Sequence, residues 1–168
     1  VTVDSVTPAV PTVSSITNDT GAASDGITSD TTLMFNGVSE VSAVIDVYLD
    51  AAYLGSTSAD GSGDWIYNHT AAALADGDYT LSATATDLAG NLSAASTGFA
   101  ITVDSTPPSA PVVLAITDDS GTVGDGITND NTLVIGGTGD AGLSVEVFLN
   151  AVSIGTQSID GAGNWALD

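Results

Sequence analysis

The 168-residue sequence contains no lysine, no arginine and no cysteine, and it has a single histidine. Without basic side chains the chain cannot present a stripe that attracts nucleic acid or an anionic membrane surface, so we exclude both as direct partners. Without cysteine it has no disulfide framework, no thiolate metal site and no catalytic thiol. His69 has no second histidine or cysteine to join, which argues against a zinc site and against a His-dependent triad.

Long apolar runs are also missing. No window approaches 18 apolar residues, and the N-terminus lacks a charged region followed by an apolar stretch, so the sequence shows neither a transmembrane span nor a signal peptide. No segment offers a convincing apolar stripe at the 3.6-residue period of a helix. Because both ends of the sequence cut through a repeat, we expect the chain to be a piece of a longer protein.

Acidic residues are abundant instead. Nineteen aspartates and two glutamates give a formal net charge of -21, while 43% of the residues are apolar and can form a core. Uncompensated carboxylates repel one another, so a compact fold of this chain calls for an external cation. The preference for Asp over Glu suits turns and coordination of a hard divalent cation.

The sequence repeats with a period of one hundred residues. Aligning residue 1 with residue 101 gives 28 identities in 68 positions without a gap, and these fall on glycines, acids, strand positions and Trp65. This pattern predicts tandem domains. We assign 1–4 to the end of a preceding repeat, 5–104 to a complete repeat, and 105–168 to a second repeat that is truncated before its last strands.

Strand patterns dominate each repeat. Residues 44–50 and 78–87 alternate between apolar and polar side chains, as half-buried strands do. One repeat contains seven candidate strands, at 10–16, 31–36, 44–49, 54–59, 65–68, 78–86 and 97–103. Seven short strands in about a hundred residues predict an all-β fold of tandem immunoglobulin-like β-sandwiches without a disulfide.

This topology sorts the acids to the two ends of each sandwich. The end where the chain leaves, called the trailing end here, gathers Asp19, Asp25, Asp30, Asp76, Asp78 and Asp104. The end where the chain comes in, called the leading end, gathers Glu40, Asp60, Asp64, Asp87 and Asn91. Stacking two repeats end to end would direct four of the first group, Asp19, Asp25, Asp30 and Asp104, towards Asp140, Asp160 and Asn164 of the next repeat.

Calcium is the cation that fits this arrangement, because it takes six to eight oxygen ligands from carboxylates, amides and backbone carbonyls. The predicted ligands are Asp19, Asp25, Asp30, Asp104, Asp119, Asp125, Asp130, Asp140 and Asp160, with Asp4, Asp60, Asp64, Asp87 and Asn91 as secondary candidates. The alternative is a solvated acidic loop. The 60–64 segment departs from an EF-hand, since Trp65 stands where that loop requires glycine; a hairpin turn and a loop-end calcium site remain open there.

Four stretches make a more specific match: ITDDSGTVGDGITNDNTL, ADGSGDWIY, LADGDYTLSATATDLAGNLSAAS and ITVDSTPPSAP. They resemble the bacterial Ig-like repeats of giant secreted adhesins of the biofilm-associated and RTX-adhesin type. The resemblance implies tandem extender domains that leave the cell by type I secretion and are stiffened by calcium near their linkers. It also implies that Asp104 and the acids between the first two strands are metal ligands. The nonapeptide of true RTX β-helices is absent.

The predicted function is therefore that of a non-enzymatic stalk module of an extracellular, cell-surface adhesin that supports adhesion and biofilm formation. A catalytic site repeated in register every hundred residues would be unusual, whereas a repeated structural joint is typical of an array. The partners are neighbouring repeats and calcium ions, with self-association between adhesin chains as an alternative. Two other functions stay open: direct binding of a polysaccharide, for which Tyr48 and Phe148 are the repeated outward aromatics, and an accessory sandwich of an extracellular enzyme. We expect Trp65 and Trp165 in the core.

Overall fold

A computed structural model describes residues 2–117, 119–122 and 124–168. The described part of the chain divides into two compact units, Val1–Thr106 and Pro107–Asp168, called unit 1 and unit 2. Unit 1 contains β1 (Thr12–Ile16), β2 (Ile27–Thr28), β3 (Met34–Val38), β4 (Val44–Leu49), β5 (Ala52–Ser58), β6 (Asp64–Asn68), β7 (Gly77–Thr86) and β8 (Phe99–Val103). Unit 2 contains β9 (Val112–Ile116), β10 (Ile135–Thr138), β11 (Ser144–Leu149), β12 (Val152–Ser158) and β13 (Asn164–Leu167).

Unit 1 is built from a three-stranded sheet in the order β1-β3-β6 and a five-stranded sheet in the order β2-β8-β7-β4-β5. All neighbours run antiparallel except β2, which pairs in parallel with β8. The prediction of an all-β, Ig-like architecture is confirmed. The seven predicted strands are present, six of them with shifted bounds, and β2 is an additional strand that the alternation pattern did not reveal.

The turn at 60–64 connects strands of different sheets, because β5 pairs with β4 while β6 pairs with β3. The hairpin turn expected there is therefore wrong, and the chain crosses between the two layers instead. Side chains tie the two edges together: the Tyr67 hydroxyl donates to the Leu54 carbonyl at 2.9 Å, and the Thr57 hydroxyl donates to the Ile66 carbonyl at 2.8 Å.

The core of unit 1 follows from the alternation of β4 and β7, most of whose inward side chains are fully buried. Trp65 is the largest of the core side chains and is 1% exposed, as predicted from its position in the repeat. A Cβ at Gly37 would overlap both the Trp65 ring and the Thr12 carbonyl, so a residue without a side chain is required where the indole lies against β3. The same is true of Gly137 beside Trp165.

Unit 2 has the sheet β13-β10-β9 and the two-stranded sheet β11-β12, which correspond to the first strands of unit 1. Its core is smaller and consists of Val145, Val147, Ile159, Trp165 and Leu167. Among its described residues, unit 2 has no counterparts of β7 and β8. The 1–4 segment includes Val1, which lies outside the described residues, and 2–11 contains no strand. Across the described residues, no helix combines the length and apolar character needed to cross a membrane.

Candidate functional site in the acidic end loops

The loop between β1 and β3 in unit 1, residues 17–33, is organised by its own carboxylates. Asp19 Oδ2 accepts the backbone N–H of Ser24 at 2.6 Å and, less closely, that of Gly26 at 3.5 Å. Asp25 Oδ1 accepts the N–H of Ile27 at 2.9 Å. A carboxylate that bonds the backbone a few residues ahead stabilises a turn, so the spacing of these acids determines the path of the loop.

Asp30 fixes the end of the same loop with both of its oxygens. Oδ2 accepts the side-chain amide of Asn18 at 2.7 Å, and Oδ1 accepts the N–H and the hydroxyl of Thr32, each at 2.8 Å. The amide of Asn18, followed by the two donors of Thr32, holds the pKa of Asp30 below its ordinary value. The carboxylate is therefore stabilised in its charged form.

Asp104 lies beside this loop at the trailing end of unit 1. Its backbone N–H donates to the Thr28 carbonyl at 2.9 Å, and the buried Thr28 hydroxyl donates to the Asn18 carbonyl at 2.7 Å. Asp104 Oδ1 accepts the N–H of Thr106 at 3.1 Å. Hydrogen bonds thus connect Asp104 through Thr28 and Asn18 to Asp30, although the four predicted carboxylates contact backbone and neutral side chains and not one another.

One carboxylate oxygen in this loop is buried without a partner. Asp19 Oδ1 is buried and accepts no hydrogen bond. Asp119 Oδ1, at the same position of the second repeat, is likewise buried without a partner. A buried charged oxygen without a donor is costly and is usually satisfied by a water or an ion. Its recurrence in both units makes it a feature of the loop.

The rest of the loop in unit 2 repeats the bonding of unit 1. Asp119 Oδ2 accepts the N–H of Gly124 at 2.7 Å, and Asp125 Oδ1 accepts the N–H of Ile127 at 2.9 Å. Asp130 Oδ1 accepts the N–H of Thr132 at 2.9 Å and its hydroxyl at 2.8 Å, which lowers the pKa of Asp130. These carboxylate-to-backbone bonds are therefore encoded locally and recur in both units.

The carboxylates of the leading end also hold turns. Asp60 Oδ1 accepts the N–H groups of Ser62 at 2.7 Å and of Asp64 at 3.0 Å. Asp87 accepts the side-chain amide of Asn91 at 2.8 Å, which is the largest cause of its lowered pKa. In unit 2, Asp160 Oδ1 accepts the N–H groups of Ala162 at 2.9 Å and Asn164 at 2.8 Å.

Three further contacts secure the segments by which the chain enters each unit. The Asn91 amide reaches the Asp4 carbonyl at 3.3 Å in unit 1, and Asp4 Oδ1 accepts the N–H of Val6 at 3.0 Å. In unit 2, Asp140 Oδ2 accepts the N–H of Ser109 at 2.7 Å. These predicted site residues therefore lie at the ends of their units, where their carboxylates order backbone.

In the part of the chain that the structure describes, no three His, Cys, Asp or Glu side chains converge closely enough to hold a metal ion. The residues that connect the loop, Asn18 and Thr28, were not among the predicted site residues. Thr28 carried one available signal, since it is identical in both repeats. For Asn18, the sequence does not distinguish an amide that closes the loop from an ordinary turn residue.

A family model described as "Bacterial Ig-like domain" matches residues 6–105. The chain belongs to this family of bacterial Ig-like domains, which confirms the resemblance that its repeated motifs indicated. No curated protein matches the chain. A solved structure described as "Structural insight into host cell surface retention of a 1.5-MDa bacterial ice-binding adhesin" is similar, with 22% identity and a TM-score of 0.44. The match covers 93% of this chain and 52% of that one, so this chain spans about half its length.

Proposed function

We propose that the chain is a structural, non-enzymatic extender module of a bacterial surface adhesin, located outside the cell, where it supports adhesion and biofilm formation. Membership of the bacterial Ig-like family supports this function. The in-register repeat supports it too, because each unit has a core of its own and so suits an array. Strands of about 5 to 10 residues rise about 3.3 Å per residue, and the end loops add to this length. One complete module therefore adds roughly 30 to 45 Å to a stalk.

We further propose that calcium binds the trailing-end loop of each repeat and stiffens the chain beside its linkers. The observation that carries this proposal is the buried, unpartnered Oδ1 of Asp19 and of Asp119. Both are carboxylate oxygens, the ligand type that calcium prefers. Backbone carbonyls of the glycine-rich loop can complete the six to eight oxygens that calcium takes.

The proposed ligands are Asp19, Asp25, Asp30 and Asp104 in unit 1 and Asp119, Asp125 and Asp130 in unit 2. Asp140 and Asp160 are proposed to contribute at the leading end of unit 2. Bound calcium would supply the positive charge that a chain at -21 lacks. Extracellular calcium modules bind at about 10⁻⁴ to 10⁻³ M, so the loops would fill outside the cell and stay empty inside it.

Thermal unfolding and small-angle scattering in calcium and then in EGTA test this function. At 10 mM calcium such a site stabilises its unit by about 1.4 to 2.7 kcal/mol, which raises Tm by roughly 6 to 20 °C for a domain of this size. Asp19→Asn should reduce the calcium-dependent shift. Asp46→Asn, which removes the same charge from the middle of β4, should leave it intact. An unchanged Tm and maximum dimension in wild-type chain would refute the calcium proposal.

A second candidate function is the binding of a neutral polysaccharide on the outer face of the five-stranded sheet. Tyr48 and Tyr53 form an edge-to-face pair there, with ring centroids 5.7 Å apart, and Tyr53 is 59% exposed. The register places the hydroxyl side chains of Ser56, Ser82 and Thr84 on the same face. Exposed aromatic faces beside hydroxyl groups suit a sugar, and the negative charge of the chain favours a neutral one over an anionic one.

Affinity electrophoresis in gels containing dextran tests the second candidate. Tyr53→Ala should abolish any retardation of the chain, while Ile66→Ala, an exposed apolar side chain on the other sheet, should leave it unchanged. Absence of retardation with dextran and with other neutral glucans would remove polysaccharide binding on this face. Self-association of the chain would appear instead as a concentration-dependent mass in sedimentation.

A further inference from the structure

Asp76 makes a set of contacts unlike those of the other trailing-end acids. It lies in the connection between β6 and β7, yet its Oδ1 accepts both the N–H of Ser105 at 2.9 Å and the Ser105 hydroxyl at 2.6 Å. Its Oδ2 accepts the Thr106 hydroxyl at 2.7 Å. All three donors belong to the segment that follows β8, about thirty positions further along the chain.

These bonds occupy both oxygens of one carboxylate with donors from two successive residues. Charge-assisted hydrogen bonds of this kind are shorter and stronger than bonds between neutral groups. The Ser105 and Thr106 hydroxyls, with the Ser105 amide, also hold the pKa of Asp76 below its ordinary value. The ionised carboxylate of Asp76 is therefore the form that accepts the hydrogen bonds from Ser105 and Thr106.

The contacts continue a restraint that begins one residue earlier. The Asp104 N–H donates to the Thr28 carbonyl, so the chain leaving β8 is held first by β2 and then by Asp76. Pro107 and Pro108 follow directly, and each proline ring locks its own φ near -65°. Ser105 and Thr106 are thus the last two residues before this stiff dipeptide, and their own φ angles are not locked by a proline ring.

We propose that Asp76 is a positioning residue that clamps Ser105–Thr106 onto unit 1 and so fixes the direction in which the chain leaves the module. The proposal rests on the extender function, since a stalk needs a defined exit from each module. It adds a restraint that needs no metal ion, because hydroxyl and amide donors already satisfy both oxygens of Asp76. A stalk built in this way keeps partial stiffness when calcium is scarce.

Backbone ¹⁵N relaxation of the full 168-residue chain tests the clamp with a matched pair of variants. Asp76→Ala removes the acceptor for all three donors. Asp78→Ala removes the same charge two residues away, where the carboxylate accepts only the Thr102 hydroxyl within β8. We expect the order parameters of the Ser105 and Thr106 amides to fall from about 0.85 to below about 0.6 in Asp76→Ala and to stay high in Asp78→Ala.

Three controls keep the outcome decisive. Trp65 fluorescence verifies that unit 1 is folded in both variants, and Asp76→Asn, which keeps one acceptor oxygen, should give intermediate order.

Unchanged order of Ser105 in Asp76→Ala would overturn the clamp, as would an equal loss in Asp78→Ala. Repeating the measurement in EGTA separates the two proposals: the clamp persists without calcium, whereas order of Ser105 that appears only with calcium would overturn a clamp that needs no metal ion.

If calcium has no effect on the wild-type chain but Asp76→Ala still releases Ser105, the calcium proposal fails and the clamp stands. If calcium stabilises the chain and Asp76→Ala changes nothing, the clamp fails and the calcium proposal stands.

Discussion

Leu49 and Leu149 occupy the same position of the repeat, yet Leu49 is 8% exposed in unit 1 and Leu149 is 59% exposed in unit 2. In unit 1, Leu49 lies opposite Leu81 of β7. Unit 2 has no counterpart of that strand within the described residues. The difference shows that burial of this leucine is a property of the complete five-stranded sheet and not of the β4-β5 pair.

Other features are the same in both units. Val47 and Val147 are both buried, as are Trp65 and Trp165, and the loops before β3 and β10 carry the same carboxylate-to-backbone bonds. These contacts form between residues close in sequence or within the first five strands of a repeat. The comparison therefore separates what each repeat encodes locally from what its last two strands add.

The largest effect is expected from the tryptophans. Trp65→Ala should destabilise unit 1 by about 3 to 5 kcal/mol, because it removes the largest core side chain and leaves a cavity. Trp165 then remains as the sole fluorescent indole, and its urea midpoint should not change, since the core of unit 2 consists of its own residues. A shifted Trp165 midpoint would show that the two cores depend on each other.

Truncating Leu49 or Leu149 tests how far the burial of each leucine contributes to the stability of its unit. Leu49→Ala should cost about 2 to 5 kcal/mol, whereas Leu149→Ala should stay within about 0.5 kcal/mol because most of that side chain is already in water. Urea unfolding in single-tryptophan backgrounds measures both, with Trp165→Phe used for unit 1 and Trp65→Phe for unit 2. Equal losses would mean that Leu149 is covered in solution.

The sequence predicted the fold well wherever alternation is long enough to read. The bounds of β4 are those expected, and β7 and β8 differ from prediction by only one or two residues. The two-residue strand β2 was missed because it exists only by pairing with β8. In unit 2 the equivalent residues 127–128 belong to no strand. A strand that depends on a distant partner leaves no local pattern to detect.

The candidate site was predictable in position but not in bonding. The topology sent the acids to the ends of the units, and Asp104, Asp140 and Asp60 do lie there. What composition could not tell is whether a carboxylate oxygen faces a backbone amide or is left for an ion. Each of the nine predicted ligands has at least one oxygen that accepts an amide N–H, while Asp19 Oδ1 and Asp119 Oδ1 are buried without a partner.

A smaller and equal effect is expected from the loop aspartates. Asp19→Ala in calcium-free buffer should destabilise unit 1 by about 1 to 2 kcal/mol, because the Ser24 N–H loses a charged acceptor. Asp119→Ala should cost unit 2 about as much, since the Gly124 N–H makes the same bond. Urea unfolding in the single-tryptophan backgrounds compares them. A clear inequality would show that the last two strands also stabilise this loop.

The smallest effect is a pH dependence shared by Asp30 and Asp130. Folding lowers the pKa of both below the ordinary value of 3.8. The main cause for Asp30 is the side-chain amide of Asn18, and the main cause for Asp130 is the backbone N–H of Thr132. A lowered pKa means that the stabilisation is fully present above pH 3.8 and is lost as the pH falls through the folded-state pKa. Because both groups are only partly buried, solvent screens the effect and keeps it small. Carboxyl ¹³C titration should place the midpoints of both residues below 3.8, and Asp30→Asn should lose its destabilising effect in acid. A midpoint at or above 3.8 for either residue would contradict the hydrogen bonds that both loops give to this carboxylate.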